Sequence, residues 1–242
     1  MDLGPQELPD FTASGNQAVD PSLYEVENKA LDPRGLVLSA MRNIAPWEGR
    51  VLLDLGCGSG FWLSGYADEA ESVLGVEPDP TLLPVAAARD DRVRVLHGSA
   101  EYLPLPDASV DVVHARFAYF FPPGCDAGLA EVMRVLRPGG TLVVVDNDTR
   151  NGEFAELLAA SPWASPQGTG SVTDVWWAER GASRFEVMSE WRFDNRDDLD
   201  AVLHLEFPAG VATPWLERNP TALGLTYGYV LFSMMREATN PR

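Results

Sequence analysis

The sequence predicts an α/β fold in which a parallel sheet carries helices on both faces. Three observations predict it. The stretch Val51 to Trp62, VLLDLGCGSGFW, reads as a buried strand with one acid, Asp54, that runs into glycines at 56, 58 and 60 and then a helical pattern. Beyond it, apolar strand-like runs alternate with helical patterns, as βαβ units do. Glu77 closes the second apolar run, where an acid is placed to accept hydrogen bonds from ribose hydroxyls. At 242 residues the chain suits one such domain with a lid or insertion.

Residues 1 to 20 are polar and punctuated by Gly4, Pro5, Pro9 and Gly15, the composition of a loosely held arm. Pro21 with Leu23, Val26, Ala30 and Leu31 predicts a short helix. Asp32-Pro33 then supplies an N-cap and a first-turn proline for a second helix carrying Val37, Ala40, Met41 and Ile44. Elements ahead of the sheet can fold across the mouth of a site, so Tyr24 is placed either to reach a ligand or to pack between helices.

In the glycine turn, Gly56 and Gly58 permit positive φ and a close approach of ligand to backbone, and the amides opening the next helix offer donors. Dinucleotide sites space their glycines G-x-G-x-x-G/A, with a small last residue. Here that position is Phe61 and the glycines run G-x-G-x-G. The spacing argues against NAD and for an adenosine ligand without a pyrophosphate.

Ser72 to Glu77 is the second strand, and Pro78-Asp79-Pro80 is a turn into the next helix. Arg92 to Leu96 alternates as a third strand, and Ser109 to Ala115 is a fourth. Asp126 to Arg137 has a helical stripe of Leu129, Val132, Met133 and Leu136, stopped by Pro138-Gly139-Gly140. Thr141 to Asp146 is a fifth strand, apolar enough for the sheet centre. The last third predicts a helix over Glu153 to Ala160, a loop from Ser161 to Thr173, and Trp176-Trp177. A strand from Arg184 to Phe193, a helix from Asp197 to Phe207 and a strand from Leu225 to Met234 complete it.

Thirty-six acids against 18 bases give a formal charge of −18. No basic stripe exists to displace counterions from a duplex, so nucleic acid is not expected as a partner. Cys57 and Cys125 provide neither a disulfide framework nor zinc-site spacing. The N-terminus lacks a basic and then apolar leader pattern and no run reaches membrane length, so a cytoplasmic protein is expected.

With these elements in place, the chain resembles the class I S-adenosylmethionine-dependent methyltransferases, in the broad group that acts on small molecules. The glycine turn with Asp54, the acid Glu77, Ala100-Glu101 ahead of LPLPDASVDVV, and EVMRVLRPGGTLVVVD match that family's motifs in order across roughly residues 48 to 146. The resemblance implies a Rossmann-like, seven-stranded, mostly parallel sheet with the last strand antiparallel. It also divides the chain into an N-terminal arm and helical lid (1–46) and a methyltransferase domain (47–242), with 147–183 as a substrate-side insertion. It implies that Asp54, Gly56, Cys57 and Gly58 hold the methionine end of S-adenosylmethionine, Glu77 the ribose, and Ala100 with Glu101 the adenine amino group. Pro78 and Arg116 complete the candidate cofactor set. Many relatives have an acid before the Ala-Glu pair, and this chain has Ser99.

Methyl transfer from a sulfonium is an in-line displacement that rests on positioning and exclusion of water, with a general base optional. His114, at the end of the fourth strand, is the first candidate base, against the alternative of a buried core histidine. Tyr24 is the second catalytic candidate. Asp146-Asn147-Asp148 resembles part of the Mg²⁺ site of catechol methyltransferases, but Arg116 stands where those enzymes need an Asp, so no metal is expected. Trp176 and Trp177 either line an aromatic-tolerant pocket or staple their loop to the core. The expected activity is methyl transfer to a small-molecule acceptor. The alternatives are a non-catalytic S-adenosylmethionine-binding protein and a sulfonium-binding enzyme that runs another reaction.

Overall fold

The computed structural model of the protein describes Leu8, Phe11, residues 20–162, Ala164 and residues 169–238. The N-terminal arm falls largely outside these. In chain order the elements are α1 (Pro21–Ala30), α2 (Leu36–Ile44), β1 (Val51–Leu55), α3 (Leu63–Ala67), β2 (Ser72–Glu77), α4 (Leu83–Ala87), β3 (Val93–His97) and β4 (Val110–Arg116). There follow α5 (Asp126–Val135), β5 (Leu136–Asn147), α6 (Glu153–Ala160), α7 (Thr169–Glu179), β6 (Ser183–Arg192), α8 (Arg196–Glu206), α9 (Ala209–Arg218) and β7 (Gly224–Met235).

The strands form one sheet in the order β3-β2-β1-β4-β5-β7-β6. The pairs from β3 through β5 are parallel, and β7 runs antiparallel to both β5 and β6. This is the expected seven-stranded sheet with a reversed last strand. From β1 the chain winds outward through β2 and β3 and then returns to β4 on the other side. That reversal opens a crevice at the carboxyl ends of β1 and β4, where ligands sit in open α/β sheets.

Side-chain alternation divides the interior into two cores. Leu52, Val112, Val143 and Leu231 face α1, α2, α3, α6, α8 and α9, while Leu53, Val113, Val144 and Val230 face α5 and α7. Among the described residues no helix is long and apolar enough to cross a membrane.

Several expected boundaries move. Asp32 is not the residue at which α2 begins. Pro33-Arg34 form a turn, and the Asp32 carboxylate reaches forward to accept from the amides of Leu36, Val37 and Leu38. Helix α5 ends two residues earlier than its apolar stripe suggested, because Leu136 pairs with Val110 and starts β5. Pro138-Gly139-Gly140 therefore lies inside β5, where Gly139 and Gly140 exchange hydrogen bonds with Arg236. The expected loop after Ser161 gives way to α7, which holds both tryptophans. Helix α9 had no counterpart in the sequence reading, since Pro208 and Pro214 interrupt its pattern. Pro214 lies inside it, and its carbonyl accepts from Arg218 Nε at 3.1 Å.

Candidate functional site

The site is built on the turn after β1. The amides of Gly56 and Cys57 donate to the carbonyl of Val76, at 2.8 and 3.2 Å, which ties the turn to the end of β2. Gly56 has φ +71°, and a Cβ there would lie 2.6 Å from that of Ala118, so only glycine fits between the two strand ends. Glu77 secures the turn from the other side. Its Oε2 accepts from the Gly58 amide at 2.8 Å and its Oε1 from the Asp79 amide at 2.9 Å. The amides of Gly56, Cys57 and Gly58 are thus used within the protein, and each Glu77 oxygen keeps a lone pair. Burial raises the Glu77 carboxyl above its ordinary range, against the pull of those two amides.

Asp54 and His114 are register partners across β1 and β4. Burial pushes the Asp54 carboxyl up to about 7, while the charge of Arg116 draws it down. Arg116 lies with its guanidinium carbon 3.8 Å from the Trp62 ring centroid and its Nη1 3.5 Å from Met41 Sδ. His114 is 0% exposed, packed edge-on against Trp47 and Tyr66 at 5.2 and 5.1 Å, with neither ring nitrogen hydrogen-bonded. Burial first, then Arg116, pushes its pKa down to about 3. The candidate base is therefore a neutral imidazole inside an aromatic cluster, with no path to a substrate.

Over the crevice lies a cavity of about 580 Å³, within the roughly 300–1,000 Å³ usual for small-molecule sites. Its wall is formed by Leu55, Gly56, Glu77, Pro78, Asp79, Leu82, Gly98, Ser99, Ala100, Ala118, Tyr119 and Phe121, together with Phe11, Tyr24, Glu27, Phe117, Asn147, Phe154, Glu206 and Tyr227. Of the residues singled out from the sequence, Tyr24, Gly56, Glu77, Pro78 and Ala100 meet at this wall. Asp54, Cys57, Gly58, Glu101, His114 and Arg116 stand behind it. Glu101 accepts from the Tyr119 hydroxyl at 2.9 Å, and that hydroxyl accepts from the Gly128 amide at 3.0 Å, so Glu101 bears on the cavity through Tyr119. Phe117 and Tyr119 both hold positive φ, 50° and 56°. Such strain in non-glycine residues collects at ligand sites.

Trp176 and Trp177 do not reach the cavity. Trp177 is 1% exposed, stacked on Phe232 and tilted against Phe120, on the sheet face of α5. They staple α7 to the core. Asp146-Asn147-Asp148 is likewise committed within the protein. Asp146 accepts from the Asn147 amide, Asn147 Oδ1 accepts the Tyr227 hydroxyl, and Asp148 accepts from Arg150 and Asn151. Among the described residues no group of three or more His, Cys, Asp or Glu side chains is gathered for a metal.

Among the described residues the wall carries four carboxylates, Glu27, Glu77, Asp79 and Glu206, and no basic side chain. A pyrophosphate would find no countercharge there. A cationic adenosine derivative, with ribose hydroxyls to give to Glu77, fits. A family model for the methyltransferase domain matches residues 53–144. A malonyl-[acyl-carrier protein] O-methyltransferase of Serratia marcescens is 35% identical over 157 residues, 62% of this chain and 60% of that protein. Residues 53–144 are similar to a methyltransferase domain.

A demethylmenaquinone methyltransferase of Clavibacter sepedonicus shares 33% identity over 134 residues, 52% of this chain and 55% of its own length. The chain thus spans less than two thirds of these curated relatives. Among solved structures, a SAM-dependent methyltransferase from Aquifex aeolicus shares the fold, with TM-score 0.56, 18% identity, and 89% of this chain and 98% of that one covered. The methyltransferase domain implies S-adenosylmethionine as its bound methyl donor, and Gly56, Glu77 and Ala100 all lie inside the matched stretch. Tyr24, Glu27, Asn147, Phe154, Glu206 and Tyr227 lie outside it. Sequence reading missed Glu27, Phe154, Glu206 and Tyr227 as site residues, because they come from helices and a strand with no motif to mark them.

Proposed function

We propose that the protein transfers the methyl group of S-adenosylmethionine to a small-molecule acceptor held at the far end of the same cavity. The observation that carries this reading is a single cavity whose wall joins Gly56, Glu77, Pro78 and Ala100 to the aromatic side chains of Tyr24, Phe117, Phe154 and Tyr227. At the donor end, Glu77 receives the ribose hydroxyls, Pro78, Leu82 and Ala100 flank the adenine, and Gly56 lets the ligand lie against the backbone. The bound donor supplies an electrophilic methyl group. At the acceptor end, aromatic side chains exclude water and fix the orientation of the acceptor, the conditions under which in-line transfer needs little further help.

The helices over 21–44 serve as a lid in this reading. Glu25 of α1 accepts from Ser59 Oγ at 2.6 Å and pairs with Arg89 at 2.5 Å, and Arg89 Nε also donates to the Ser59 carbonyl. These contacts hold α1 on the glycine turn. The acceptors printed in the names of the two relatives, a malonyl-[acyl-carrier protein] and demethylmenaquinone, differ from each other, so neither is carried over. The absence of basic groups on the wall speaks against a polyanionic acceptor.

Two measurements test the reading. Calorimetry should detect S-adenosylmethionine and its demethylated product binding in the same site. Incubation of a metabolite extract with isotope-labelled donor should add methyl mass to a small molecule. A label that enters only protein or nucleic acid would overturn the assignment.

A further inference from the structure

The acceptor end contains a pair of acids that methyl transfer as such does not require. Glu27 lies in the last turn of α1, and Glu206 is the last residue of α8, which packs against α1. Both line the cavity, and the carboxylate of Glu206 adds to burial in raising the Glu27 carboxyl. Glu27 is 7% exposed and lines the cavity, and its buried Oε2 has no hydrogen-bond donor. A buried acceptor atom left without a donor costs about 1–3 kcal/mol, more when charged.

The position increases that cost. Both acids sit at helix C-termini, where the backbone dipole favours cations and opposes carboxylates. A fold kept only for stability would not gather two like charges there in a buried wall. A cation brought into the cavity satisfies all of these features at once. The adjoining side chains favour the same class of ligand. Phe154 and Tyr227 stack with centroids 4.0 Å apart, and Phe117 and Tyr24 complete an aromatic surround.

We propose that Glu27 and Glu206 receive the methyl acceptor as a protonated amine on an apolar body and take its proton before transfer. This rests on the methyltransferase reading and names its substrate class. The carboxylate accepts one N–H proton, which restores the nitrogen lone pair. That nitrogen forms the new N–C bond while the C–S electron pair stays on sulfur, leaving a neutral thioether and an N-methylammonium product. Burial and the neighbouring charge of Glu206 hold the Glu27 carboxyl well above the ordinary glutamate range, which suits a proton acceptor near neutrality.

The test uses calorimetry on the full chain, with and without S-adenosylhomocysteine. The probes are phenethylamine, tryptamine and hexylamine, each against the alcohol of the same skeleton. Amines should bind at least tenfold tighter than their alcohols, and labelled donor should give N-methyl products. Glu27→Gln and Glu206→Gln should each abolish that preference while S-adenosylhomocysteine binds within twofold of the parent, which also shows that the variants fold. Equal binding of amines and alcohols, a preference that survives both substitutions, or binding of no amine in the panel would each overturn the proposal. Failure of S-adenosylhomocysteine to bind would instead remove the methyltransferase reading, a separate result.

Discussion

At the scale of single residues, Glu77 and His114 show how differently two buried polar groups can be employed. Glu77 holds the glycine turn through the Gly58 and Asp79 amides and presents its remaining lone pairs to the cavity. In the proposed reading, removing it takes away charge-assisted hydrogen bonds to the ribose, each worth about 1.5–3 kcal/mol. Glu77→Ala should weaken S-adenosylmethionine binding roughly 10- to 100-fold by calorimetry. Glu77→Gln, which keeps the shape and one acceptor oxygen, should lose less. His114 contacts Trp47 and Tyr66 and no ligand wall. Loss of a true general base lowers turnover by about 10²- to 10⁴-fold. His114→Asn should lower it by less than about tenfold, with no change in the pH dependence of the rate between pH 6 and 8. A full base-sized loss, or a new acid limb, would return His114 to the mechanism.

At the scale of elements, sequence reading succeeded where local pattern and tertiary environment agreed. Helix α6 begins and ends where its pattern places it, at Glu153 and Ala160. It failed where a neighbour decided the outcome. The α5 stripe continues through Leu136, yet pairing with Val110 draws that residue into a strand. The tryptophans show the same limit. Their indoles suit a binding pocket as well as a core, and only the packing of α7 against β6 decided for the core. Trp177→Ala should therefore cost about 3–5 kcal/mol of stability, read as a lower urea midpoint. Below that midpoint it should leave donor affinity within about threefold. A variant that stays as stable as the parent but loses acceptor turnover would place Trp177 in the site after all.

At the scale of the whole molecule, burial of acids makes the unliganded protein pH-sensitive. Asp54 is raised to about 7 and Asp146 to about 6, with Glu27 and Glu77 also raised, all chiefly by burial. The folded state thus keeps protons that the unfolded chain has released. For Asp54 this stabilisation is complete below the ordinary value of 3.8 and is lost as pH rises through about 7. His114, lowered to about 3, opposes it only below its ordinary 6.5. The formal charge of −18 adds repulsion in the same direction as the acids. Chemical denaturation should give an unfolding free energy lower at pH 7.5 than at pH 6 by on the order of 1 kcal/mol. Asp54→Asn should flatten that difference, and an unchanged slope would show that Asp54 is ionised throughout. The sequence alone determined the α/β class, the reversed last strand through its resemblance, and Gly56, Glu77 and Ala100 as residues that meet at one wall. These residues lie on successive βα turns, where strand direction and turn geometry bring motif residues together without help from distant parts of the chain. The rest of the cavity wall was decided by tertiary structure. Glu27 and Glu206 come from near opposite ends of the chain and meet only because α1 packs on α8. No local pattern marks a carboxylate whose partner is set by the docking of two helices.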